Sequence, residues 1–165
     1  KEYQKDRLVL FLDPNRDPLG GGYHLIQSKI AIGSGGFLGT GLLKGKLTNL
    51  QFIPEQHTDF IFSALGEELG FLGCIIVLFV FFFLIKKLIS IATCARSDFE
   101  SLIVIGIAAT FFFQIIINLF MTVGLGPVTG IPLPFMSYGR TSLLINFISI
   151  GFVLSIFKRS RSLRS

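Results

Sequence analysis

Three long apolar stretches dominate the pattern of hydrophobic and polar positions. They run from about Phe60 to Ile85, Leu102 to Val123 and Leu143 to Phe157. A helix needs roughly 20 apolar residues to cross a hydrocarbon core, so each stretch predicts a span. The third is short, and Thr141 and Ser142 extend it at the interface. The first 59 residues follow a different pattern. Asp13-Pro14, Asp17-Pro18 and Gly20-Gly21-Gly22 are turn formers. An amphipathic stretch follows from Tyr23 to Ile32, and then a glycine-rich run from Gly33 to Gly45. That pattern predicts short interfacial helices on or dipping into a membrane, with glycines allowing close backbone approach. The predicted fold class is an all-α integral membrane protein. A large extracytoplasmic loop over 1–59 precedes a transmembrane region over 60–165, which holds the three spans and a basic tail.

Composition sharpens the class. Hydrophobic residues make up 51% of the 165 positions and charged residues 15%, too little polar surface to cover a soluble core of this size. The 19 Phe gather in a few runs and there is no Trp. The net charge of +5 comes mostly from Lys158, Arg159, Arg161 and Arg164, directly after an apolar run. A basic cluster there reads as a topology signal rather than a nucleic-acid patch. Lys86, Lys87 and Arg96 lie between the first two spans. Both basic sites are therefore expected in the cytoplasm, with residues 1–59 and 124–140 on the outer side. Cys74 and Cys94 lack metal-ligand spacing and read as packing residues. The chain starts at Lys1 without an initiator Met or signal pattern, which is read as a truncated sequence with further spans upstream.

Three constellations invite a chemical reading. The run Gly33-Ser34-Gly35-Gly36-Phe37-Leu38-Gly39-Thr40-Gly41 suggests a phosphate loop, but Gly45-Lys46 is followed by Leu47, and Leu38 stands where a dinucleotide fingerprint needs glycine. A tight loop at the membrane surface is the expected reading. The second constellation is acidic. Glu55, His57 and Asp59 lead into the first span, and Glu67 and Glu68 lie within it. Ionisable groups at membrane depth are expensive and face a cavity or a partner. On one helix, Asp59, Ser63 and Glu67 share a face while Glu68 points elsewhere. From the residues alone Asp59 is either a helix cap or a catalytic carboxylate. The third is the loop from Gly124 to Arg140, whose prolines and glycines exclude a regular helix. It either walls a re-entrant pocket or is a rigid outer loop.

At these residues the sequence resembles the SEDS family (shape, elongation, division and sporulation). The resemblance rests on Gln27 to Gly36, Pro54-Glu55-Gln56-His57-Thr58-Asp59-Phe60-Ile61-Phe62, Gly66-Glu67-Glu68-Leu69-Gly70, Pro127 to Pro134 and Ser137-Tyr138-Gly139. The motifs occur in order and cover the chain from about Phe11 to Ser142. Their form leans toward the rod-shape branch, RodA, over the division branch, FtsW. One departure is Arg140, where the family usually has a second glycine after Ser-Tyr-Gly.

The resemblance implies a bacterial inner-membrane bundle of roughly ten helices, to which this chain would contribute the C-terminal three and the large outer loop. It implies a peptidoglycan glycosyltransferase of cell elongation that polymerises lipid II on the extracytoplasmic face, and a fragment inactive alone. The family's essential aspartate matches Asp59, whose role would be general base. Lys29, Glu55, His57, Ser63, Glu67, Ser137 and Tyr138 are the candidate substrate-binding or cavity-lining residues. The leaving diphosphate needs cations, from Lys29, Lys44, Lys46 and Arg140 or from a divalent ion such as Mg or Mn. No metal ligand is assigned. The expected partners are a class B penicillin-binding transpeptidase and membrane proteins of the elongation complex. The alternatives are a lipid II flippase, which would need ionisable groups through the bilayer, and a non-catalytic scaffold.

Overall fold

The structure, a computed structural model, describes residues 21–45 and 58–161. Four helices follow one another: α1 (Gly21–Gly35), α2 (Ile61–Thr93), α3 (Asp98–Val123) and α4 (Arg140–Arg161). There is no strand among the described residues. Three helices, α2, α3 and α4, are long and apolar enough to cross a membrane. Many large apolar side chains point outward, with Phe79, Phe82, Phe113, Phe147 and Phe152 all about 60% exposed. A surface of that kind suits lipid or neighbouring helices rather than water.

The helices alternate in direction. Leu88, Ile91 and Ala92 of α2 pack with Val104 and Ala108 of α3 and Val153 of α4 at one end. At that end Arg159 lies 3.8 Å from Glu100, and the Lys87 ammonium stands 5.9 Å from the Phe157 ring centre. The basic residues of the α2–α3 connection and of the tail thus meet at one end, as the charge pattern predicts. The α3 start is fixed by Ser97, whose hydroxyl accepts from the Glu100 amide at 3.3 Å, while the Glu100 carboxylate accepts from the Arg96 amide at 3.3 Å. This is a capping box shifted by one residue.

Helix α2 runs further than the apolar pattern predicts, to Thr93 rather than Ile85. Lys86 and Lys87 are exposed, and their apolar stems can lie along the helix while the charges reach out. A lysine pair therefore marks a boundary of polarity without ending the helix. The third span likewise extends from the expected 143–157 to 140–161.

The glycine-rich run ends α1 at Gly35 and continues as a largely exposed loop that docks on α2. Helix α2 breaks at Gly70 (φ 65°, ψ −163°), a backbone region open essentially to glycine alone. Residues 36–41 dock on that break. The amides of Thr40 and Gly41 donate to the carbonyls of Glu67 and Glu68, each at 3.0 Å, and those of Phe71 and Leu72 donate to Gly36 and Phe37 at 3.0 and 3.2 Å. The Thr40 hydroxyl adds a bond to the Glu67 carbonyl at 3.0 Å. Backbone groups freed by a break in an apolar helix must find partners, and this loop supplies them.

Helix α1 packs against the spanning helices. Leu25, Ser28 and Ala31 recur at i, i+3 and i+6 and are all buried, at 2%, 0% and 0% exposure. A face with that spacing packs into α2 and α3. The Ser28 hydroxyl donates to the Thr122 carbonyl at 2.6 Å and contacts the Ser63 hydroxyl at 2.6 Å. Close approach of α1 to α2 depends on small residues, since a Cβ on Gly35 would strike the Gly66 carbonyl.

Candidate active site

The candidate site begins at the turn Thr58–Phe60, which leads into α2. The α2 N-cap position falls to Phe60, with no side-chain cap hydrogen bond, so Asp59 stands one residue outside it. The Asp59 carbonyl accepts from Asn118 Nδ2 at 2.9 Å. A Cβ built on Gly130 would lie 3.3 Å from Asp59 Oδ2, so the carboxylate lies beside that glycine, on the side where a side chain would project. His24 of α1 stacks on Phe60, with ring centres 6.2 Å apart and planes at 15°.

The loop between α3 and α4 re-enters the bundle, which decides between the two readings of its composition. Leu133 is 1% exposed and packs with Phe62, Phe81 and Ile115. The Leu133 amide donates to Ser137 Oγ at 2.7 Å, and the Ser137 amide returns to the Leu133 carbonyl at 3.0 Å. The Ser137 side chain is therefore spent on closing a turn. At the tip Phe135 holds a left-handed backbone (φ 63°), costly for a non-glycine residue. Its ring is held edge-on between Phe111 of α3, at 5.4 Å, and Phe147 of α4, at 5.7 Å.

A cleft of about 500 Å³ opens beside this loop, lined among others by Ile61, Met136, Tyr138, Arg140 and Leu143. Tyr138 is 65% exposed and Arg140 is the first residue of α4. The cleft has apolar walls, a phenol and a cation, and Ile61 places it two residues from Asp59. Such a site suits an anionic amphiphile.

Not all the sequence-predicted site residues gather here. Ser63 is fully buried against Ser28, because its face of α2 is covered by α1. Glu67 is 1% exposed, on the part of α2 that α1 and the glycine loop cover, so it does not line the cleft. Lys29 lies across Gly124, the left-handed C-cap of α3, where a Cβ would lie 2.6 Å from its ammonium. A cation there complements the negative end of the helix dipole. Lys44 is exposed beside Gly41. Glu55, His57 and Lys46 lie outside the described residues, as do the predicted turns at residues 13–18. No group of three His, Cys, Asp or Glu that could hold a metal occurs among the described residues. Sequence reasoning missed Asn118 and His24. The signal for Asn118 was one of two amides, with Gln114 a helical turn before it, deep in an otherwise apolar stretch, where polar groups are kept for a partner.

Comparison with known proteins accounts for this arrangement. The model of the FtsW/RodA/SpoVE cell cycle protein family matches residues 1–162. The chain belongs to this family. Peptidoglycan glycosyltransferase MrdB of Escherichia coli (strain K12) is 44% identical over 162 residues, covering 98% of this chain and 44% of the relative. Probable peptidoglycan glycosyltransferase FtsW of Trichlorobacter lovleyi is 45% identical over 154 residues, covering 93% of this chain and 40% of the relative. The fold matches a solved chain from a peptidoglycan synthase complex that coordinates polymerization and crosslinking. There the TM-score is 0.75 and the identity 36%, over 97% of this chain and 43% of that one. The chain thus spans less than half the length of the FtsW/RodA/SpoVE relatives it matches. Relatives named for both branches match it at similar identity.

Proposed function

We propose that this chain carries the catalytic carboxylate of a lipid II polymerase, with Asp59 as general base. The observation that carries the reading is the seating of Asp59. Its carboxylate lies beside Gly130 of the re-entrant loop, and its own carbonyl is tied down by a buried amide. In this reading the acceptor sugar hydroxyl gives its proton to Asp59 as its oxygen attacks the donor anomeric carbon. The carbon–oxygen bond to the lipid diphosphate breaks, and the diphosphate leaves with the electron pair. Arg140 at the cleft is positioned to meet that charge.

The test is polymerisation of lipid II by the full-length protein together with its class B transpeptidase, the partner this reading assigns. Asp59→Ala abolishes glycan strands while expression and partner binding stay near normal. A divalent ion, Mg or Mn, would supply further neutralisation of the diphosphate, held through phosphate oxygens and one carboxylate. Loss of polymer with EDTA, restored by Mg or Mn, is the result that a metal requirement demands. Full activity in EDTA leaves the neutralisation to protein cations, Arg140 at the cleft among them.

The same reading sets the topology in the bacterial inner membrane. Residues 124–140 face outward and the basic end of α4 faces the cytoplasm. A reporter fused after Arg164 is expected to be active only in the cytoplasm, and activity only outside would overturn the orientation. Transport is the less supported reading. Among the described residues the acids inside the spanning helices, away from their first turns, are Glu67 and Glu68, both near the Asp59 end of α2.

A further inference from the structure

We propose that Asn118 is a positioning residue for Asp59, an inference that rests on the catalytic reading of Asp59. Asn118 sits on α3 and is fully buried. Its amide nitrogen donates both hydrogens: one to the Asp59 carbonyl at 2.9 Å and one to the Ile131 carbonyl at 2.8 Å. Two carbonyl acceptors fix which end of the amide is nitrogen.

Both acceptors belong to irregular backbone, and they come from the two segments that form the site. One is the residue bearing the carboxylate. The other adjoins Gly130, beside which that carboxylate lies. A single side chain therefore ties the turn bearing Asp59 to the loop segment beside its carboxylate. A buried polar group that merely glues helices would bond to a neighbouring helix, as Ser28 does with Thr122. Asn118 instead reaches past the helices to the loop and the turn. Its Oδ1 is buried without a partner among the described residues.

The experiment uses the full-length protein and measures kcat and KM for lipid II polymerisation on folded, purified variants. Asn118→Leu keeps the branched shape, at a larger volume, and removes both donors. It is expected to lower kcat on the order of 10–100-fold, the loss that misplacing a reacting group by about 1 Å brings, with KM within about twofold. Ser28→Ala is the structural control. It removes buried bonds of the same bundle, and is expected to lower Tm while leaving kcat unchanged.

The double variant separates the claims. If Asn118 acts through Asp59, adding Asn118→Leu to Asp59→Asn changes kcat little further, because the two work as a unit. Asn118→Leu with wild-type kcat, or multiplicative losses in the double variant, overturns the positioning role even while Asp59 stays essential. Should Asn118→Leu not fold, Asn118→Asp supplies the same reading with a carboxylate that lacks the donors when ionised. Asn118→Asp with undiminished kcat likewise overturns it. An active Asp59→Asn variant would overturn the base assignment itself, a distinguishable failure.

Discussion

Asp59→Asn in the full-length protein should lower the rate of lipid II polymerisation at least about 100-fold, the contribution expected of a positioned general base. The substitution is chosen because it changes so little else. Asparagine has the size of aspartate and caps helices as well, so a capping role predicts a loss of about 1 kcal/mol or less and near-normal turnover. The anchoring bond survives too, because Asn118 holds the backbone carbonyl of residue 59 and not its side chain. What disappears is the capacity to take a proton. Glu67→Gln should be milder, since Glu67 is buried on the part of α2 that α1 and the glycine loop cover. If the Asp59→Asn protein keeps most of its activity, Asp59 is not the base.

The second large effect falls on three of four glycines that look alike in sequence. Gly35→Ala, Gly39→Ala and Gly70→Ala should each destabilise the folded protein by about 3 kcal/mol or more, from overpacking at all three and from forbidden backbone as well at Gly39 and Gly70. A Cβ would meet the Gly66 carbonyl at Gly35, the Glu68 carbonyl at Gly39, and the Gly39 amide at Gly70. Gly39 and Gly70 also need a left-handed backbone, with φ at 80° and 65°. None of these neighbours can swing aside, because each is main chain. Gly33 lies in α1 with nothing within 4 Å of a built Cβ. Gly33→Ala should therefore be neutral or stabilising by about 0.5–1 kcal/mol, the helix preference for alanine. Thermal unfolding in detergent reads the contrast. An unchanged Tm for Gly70→Ala would mean that the loop does not lock the break.

The three spans were legible because an apolar helix in a membrane announces itself in composition alone. The re-entrant loop was half legible. Its prolines and glycines excluded a helix, but its depth depends on Leu133 finding Phe62 and Ile115, a contact between distant segments. The glycine-rich run is largely exposed, as a surface loop should be, but its docking was not legible, because its partners, Glu67 to Leu72, lie about thirty residues on, and pairing between main-chain groups leaves no side-chain signature. Asp59 became a firm candidate through family resemblance, because a lone acid before a helix also fits a cap. Asn118 was overlooked because one amide hardly alters the hydropathy of an apolar run.

The Ser28 bond to Thr122 also bears on the order of biosynthesis. Those residues are 94 positions apart, and at roughly 5–20 residues per second a ribosome needs about 5–20 s to travel between them. During that interval α1 has been made but lacks its support from α3. Its serine can reach Ser63 once the next helix inserts, yet the carbonyl it finally holds arrives only at the end of α3. The segment synthesised first among the described helices is thus among the last to lock. Its docking marks the moment at which the turn bearing Asp59 has acquired its supports from α3.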